Sequence, residues 1–224
     1  MPRRRVPLRS ALLAVGTLAA ALVLLAIVQL RPPAWWAPAA PSDAMAERAE
    51  RFEQAIVSEM HRVRDSEAPW AVRVRESDIN AWLAARLPLW CEHAGIERIG
   101  PAQVRLTPAT IDIGLETHDL PAIAVARFRP SIEATALRPS LEAASLGRLS
   151  LPILGDHAIR SAAIALGDAE GDLRATLVRA LRDESVSSTF ELGDGRRVRL
   201  RDLEVRDGEL LLEFETLRAE PSPR

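Results

Sequence analysis

The chain is 224 residues long and 48% hydrophobic, with a net charge of −2, only arginine as its 29 basic residues, and one cysteine, Cys91. Apolar content at that level, with charge spread along the chain, excludes a disordered protein; a lone cysteine excludes an intrachain disulfide; the length suits one domain of ordinary size. Residues 32–224 hold 24 arginines against 31 acids, a charge of −7 that discourages nucleic acid as a partner.

Residues 11–30 contain no charged side chain. At ~1.5 Å of rise per residue a helix of that length covers ~30 Å, the hydrocarbon thickness of a bilayer, so the run reads as a transmembrane anchor. Arg3, Arg4, Arg5 and Arg9 precede it and only Arg31 follows closely, which keeps residues 1–10 cytoplasmic as a basic tail and places the rest outside the cytoplasm. Trp35 and Trp36 suit the membrane interface, and Pro32 and Pro33 stop the helix. A cleaved secretory signal is the alternative, because Ala37-Pro38-Ala39 and Ala44-Met45-Ala46 supply small residues for cleavage. Signal cores of ~7–15 residues are shorter than this run, which favours retention. Residues 31–42 then make a Pro/Ala-rich stalk, disordered over 32–41; residues 43–218 make an extracytoplasmic α+β domain, and residues 219–224 a disordered tail.

Past Ser42 or Asp43, either an N-cap, Met45, Ala49, Phe52, Ile56, Met60 and Val63 recur at helical spacing, which predicts an amphipathic helix to about Asp65. Trp70, Val72 and Val74 alternate with Ala71, Arg73 and Arg75, a short half-buried strand. A second helix follows, capped by Ser77 or Asp78, with Ile79, Trp82, Leu83, Leu87 and Trp90 on its apolar face until Pro88 and Gly95 break it. From Val104 the period is two. Val104 and Leu106 pair through a Pro108-Ala109 turn with Ile111, Ile113 and Leu115; residues 123–128 and 132–137 flank an Arg129-Pro130-Ser131 turn; residues 141–151 make a longer strand running through Gly147. Helical spacing returns over 153–169 and again around Leu173, Leu177, Ala180 and Leu181. Strands over 186–192, 198–205 and 210–217 end the fold, the last two joined at Asp207-Gly208, a pair suited to a type I′ turn with positive φ at both positions. The expected architecture is one curved antiparallel sheet with helices on its inner face.

The run Val72-Arg73-Val74-Arg75-Glu76-Ser77-Asp78-Ile79-Asn80-Ala81-Trp82-Leu83 resembles the strand and E-x-x-(I/L)-N-A-x-L helix start of bacterial YpmS-like membrane-anchored proteins. Leu146-Gly147-Arg148-Leu149-Ser150-Leu151-Pro152 is similar to a G-x-L-x-L-P junction in the same group. The resemblance implies an N-terminal anchor and helix before this element and a curved antiparallel sheet after it. It brings no catalytic residues.

Sites with chemistry are sparse. Cys91-Glu92-His93 alone is a weak metal motif, His61, His118 and His157 are scattered, and Cys91 suits a buried apolar role. There is no G-x-S-x-G and no phosphate loop; Gly193-Asp194-Gly195 reads as a hairpin turn. Asp112 and Glu116 lie ~13 Å apart along a strand at ~3.3 Å per residue, too far for a retaining glycosidase pair. No cofactor, metal or catalytic residue is therefore assigned. The expectation is a non-enzymatic, single-pass binding module of the cell envelope with a groove for a lipid or other apolar ligand. The alternative is a structural protein that docks a membrane protein partner, with an enzyme a distant third. Candidate contact residues are Asn80 and Trp82 on the second helix and Arg196, Arg197 and Arg199, a basic stripe near a sheet edge; their plainer roles are a hydrogen bond to a neighbouring strand for Asn80 and edge protection for the arginines.

Overall fold

In a computed structural model, the chain is described over residues 28–62, 68–93, 95–96, 98–118, 120, 122–133, 135–150 and 184–217. The predicted anchor, apart from residues 28–30, and the predicted helices over 153–169 and around 173–181 lie outside those residues, as does the tail from 218.

Helix α1, Asp43–His61, begins where Ser42 holds extended backbone and its Oγ accepts the Met45 N–H at 3.3 Å, satisfying one of the orphan donors of the first turn. Phe52, Ile56 and Met60 recur along one stripe and pack on the core residues Val72, Val74, Leu200 and Phe214. The stripe expected from the sequence thus serves the protein's own core. Strand β1, Trp70–Arg75, alternates as predicted, with Val72 and Val74 each 5% exposed. Helix α2, Glu76–His93, follows without a loop. It starts one or two residues earlier than the expected caps, and Ser77 and Asp78 instead bind Arg48 of α1, with Arg48 Nε 2.7 Å from Asp78 Oδ1. Pro88 does not end it. A proline inside a helix costs ~3 kcal/mol by removing one hydrogen bond and crowding the turn before it; here the turn beyond holds Cys91, 4% exposed, in the interior.

Strands β2 (Ile99–Thr107), β3 (Thr110–Thr117), β4 (Ala124–Glu133), β5 (Ala136–Leu146) and β6 (Leu149–Ser150) pair antiparallel in that order, and β7 (Val186–Ser187) pairs with the other end of β5. Strands β8 (Thr189–Glu191), β9 (Arg197–Arg206) and β10 (Glu209–Leu217) join β1 in the order β1-β10-β9-β8. The α+β class and the antiparallel pairing follow the expectation. The expected single sheet is, among the described residues, two hydrogen-bonded ladders of four and six strands, A and B, curled around a shared core. Val104 and Leu106 of sheet B and Val205 of sheet A form one buried cluster with Ile79 and Leu83 of α2.

Four local expectations change. Strand β4 runs straight through Arg129-Pro130-Ser131, with Pro130 opposite Pro139 of β5. Two prolines face each other there because β3 reaches only to Phe128 and neither β6 nor β7 pairs with Pro139, so among the described residues no ladder needs their missing N–H groups. Gly147 lies in a turn with φ +61°, not within a strand. The predicted strand over 186–192 divides at Ser188, whose N–H donates to Thr135 O and whose O accepts from Leu200 N–H, so this short stretch crosses from sheet B to sheet A. At the last hairpin only Gly208 has positive φ, which excludes the type I′ turn expected at Asp207-Gly208.

Candidate functional site

The start of α2 ties the two sheets together. Asn80 sits one helical turn after Glu76, so both side chains reach the outer edge of β2. Asn80 Nδ2 donates to Val104 O and its Oδ1 accepts the Val104 N–H, both at 2.8 Å, while Glu76 Oε2 accepts the Leu106 N–H at 2.7 Å. Leu106 O accepts from Gly208 N–H at 3.1 Å, and Gly208 O accepts from Glu76 N–H at 3.0 Å. A helix therefore replaces a neighbouring strand along this part of β2. The geometry gives Asn80 the strand-bonding role.

Trp82 points elsewhere: its Nε1 donates to Glu53 Oε1 at 2.9 Å, and Arg86 makes a two-pronged pair with the same carboxylate, joining α2 to α1. That Arg86 hydrogen bond holds the Glu53 carboxyl below its ordinary range. Arg196 bonds Asp194 and the carbonyls of Met60 and Arg62, closing the β8–β9 turn onto the end of α1. Arg199 and Arg201 share Glu215, and Arg197 is exposed at the start of β9. Among the described residues no hydrogen bond or ion pair joins these arginines to Asn80 or Trp82, so the five candidates serve separate places.

The segment expected to be a disordered stalk is ordered and lies as a strap across the outer face of sheet B. Gln103 Oε1 accepts the Ala37 N–H at 2.7 Å and its Nε2 donates to Trp35 O at 3.2 Å. The Trp35 and Trp36 rings, 6.2 Å apart and edge to face, rest on Gly114, where an added Cβ would stand 2.6 Å from Trp36. At the far side the Arg148 N–H donates to Gln29 O at 2.7 Å, and a Cβ on Gly147 would stand 2.7 Å from the Leu30 carbonyl. Gln103, Gly114, Gly147 and Arg148 were not singled out as site residues from the sequence. A glycine inside a strand pattern is the signal that marks such a close approach at Gly114.

Beside Gly114, Asp112 is 1% exposed, and its carboxylate accepts from Arg127 Nε at 2.6 Å and Nη2 at 3.1 Å. That hydrogen bond pushes the Arg127 guanidinium above its already high range. The opposite, inner face of sheet B is apolar. The registers place Ile113, Ala126 and Ala144 in one row and Leu115, Ala124, Leu146 and Leu149 in the next. The row nearest α2 is covered, yet Ile113 is 37% and Leu149 40% exposed. The sheet thus shields a carboxylate on its outer face and leaves aliphatic side chains partly open on its inner one, the reverse of a surface designed only for water.

A separate groove of about 580 Å3 runs between α1 and β1. Phe52 and Ile56 lie in it, but Arg48, Arg51, Arg73, Glu59 and Asp78 dominate its walls, and Arg48, Arg51 and Arg73 are paired with Asp78, Glu47 and Glu209. It is a polar groove whose arginines already have counter-ions. Among the described residues no group of three His, Cys, Asp or Glu stands together, and no helix is long and apolar enough to cross a membrane. Cys91 is buried and its thiol is pushed up by that burial.

Comparison of the chain with known protein families, with curated proteins and with solved structures finds no match.

Proposed function

We propose that this chain is a single-pass, membrane-anchored binding module of the cell envelope, its N-terminus cytoplasmic and its folded domain outside the cytoplasm, grouped with the YpmS-like proteins its strand-helix run resembles. The domain holds a lipid or other apolar ligand on the inner face of sheet B, without catalysis. The observation that carries this reading is the open row around Ile113, 37% exposed on a sheet whose other face buries Asp112. Burying aliphatic surface returns ~25 cal/mol per Å2, counted on the acyl chain as well as on the sheet, so holding strengthens with every methylene that the row covers.

Native mass spectrometry of the full chain extracted from membranes tests it. The expected result is a lipid-sized adduct that Ile113→Glu removes while the thermal midpoint stays within a few degrees. A clean apo mass with a stoichiometric protein partner would replace this reading by the second one, a docking protein for a membrane partner. Among the described residues β1 is the outermost strand of sheet A, beside the polar groove, and that position supports the second reading because an outer strand is where an added strand docks.

A further inference from the structure

The strap sets where the domain stands relative to its anchor. The hydrogen bond from Arg148 N–H to Gln29 O, and the seat of Gly147 under Leu30, put the β5–β6 turn against the last residues of the uncharged 11–30 run. Gly147 N–H also donates to Ile123 O at 2.7 Å, so the β3–β4 connection shares that end of sheet B. Around it Val28 is 38%, Leu120 38% and Leu149 40% exposed. Arg31 and Arg148 are exposed beside them, and among the described residues neither has a carboxylate partner. Apolar side chains interleaved with unneutralised arginines suit the boundary between headgroups and acyl chains, where aliphatic groups dip and guanidinium groups fork onto phosphodiesters.

We infer that this end of sheet B is a membrane-docking surface, with Arg31 and Arg148 on phospholipid phosphates and Val28, Leu120 and Leu149 in the upper acyl layer. The inference rests on the anchored reading of residues 11–30. It removes the freely swinging tether from that reading: the strap spends its length crossing the sheet, so the domain has one orientation, with the Leu149 end of the apolar inner face opening at the bilayer. Each arginine near an anionic surface raises membrane partition about fivefold at moderate salt and less as salt screens it.

The test uses the full chain in vesicles of phosphatidylcholine with phosphatidylglycerol. Leu149→Cys, or as reference Asp194→Cys in the β8–β9 turn, carries an environment-sensitive maleimide fluorophore; the buried Cys91 stays unlabelled. The expected result is a blue-shifted probe at 149, quenched by a shallow spin-labelled lipid about threefold more than the probe at 194, with the excess reduced by Arg31→Glu with Arg148→Glu and by high salt. Gly147→Val, which forces the turn off Leu30, lowers quenching at 149 to the reference level while the protein still floats with the vesicles. Equal quenching at 149 and 194 in protein that floats with the vesicles overturns the docking surface alone. Protein that does not float with them overturns the anchored reading and this inference with it.

Discussion

Ala109 is the one described residue other than glycine with positive φ, 65°, in the two-residue loop between β2 and β3. A Cβ in that region costs ~1–2 kcal/mol, and glycine there gives back up to ~1 kcal/mol through a looser unfolded chain. Ala109→Gly is therefore expected to stabilise by about 0.5–1 kcal/mol, read as a higher urea midpoint with unchanged slope. The Ala109 N–H, bonded to Val205 O at 2.9 Å, explains why the loop holds this shape against the preference of its residue. Glu53 supplies the pH dependence. Its folded carboxyl sits below the ordinary 4.5 because of the Arg86 hydrogen bond, so its contribution is complete above that value and is lost as pH falls through the lower folded one. Glu53→Gln should flatten the fall of the denaturation midpoint below about pH 4.5, and identical acid profiles for variant and wild type would remove Glu53 from that account. At this scale the sequence announced Asn80 through its place in a helix start, because an amide in a first turn seeks backbone partners. It did not announce Glu76 or Gln103, whose partners lie 30 and 66 residues away.

Elements with a strong period were legible: α1, β1, α2 and the β2–β3 and β9–β10 hairpins all appear where apolar residues recur at 3.6 or at two. Pro130 misled because a strand tolerates proline where no neighbouring strand needs its N–H, and among the described residues none does. The strap was illegible for another reason. Pro32, Pro33, Trp35 and Trp36 carry no period, and what orders them is the missing side chain of Gly114 on a strand far along the chain. Gly114→Ala should lift the strap, costing about 1–3 kcal/mol as an overpacked contact, and should shift tryptophan emission to the red as Trp35 and Trp36 meet water. Stability and emission equal to wild type would mean that the rings do not seat on β3.

Across the whole molecule, two sheets behave as one wall because the N-terminus of α2 substitutes for a strand between them. Hydrogen exchange checks this: the amides of Val104, Leu106 and Gly208 should be as slow as those of the β9–β10 ladder, and Asn80→Ala should speed Val104 by roughly tenfold or more, the share of a hydrogen bond worth ~1.5 kcal/mol. Fast exchange in wild type would take the α2 bridge out of that account. Two ladders were beyond reach of the sequence, since the division depends on where α2 lands and on a one-residue crossing at Ser188 that reads as ordinary strand. The strap also imposes an order in time. Its residues leave the ribosome early, yet Pro32 waits for Arg148, 116 positions later, before it has anywhere to land. At ~5–20 residues per second that delay is on the order of ten seconds, during which the strap has only part of its seat on sheet B. Closure of the strap is then among the last events of folding, the moment at which the N-terminal segment takes its full place on sheet B.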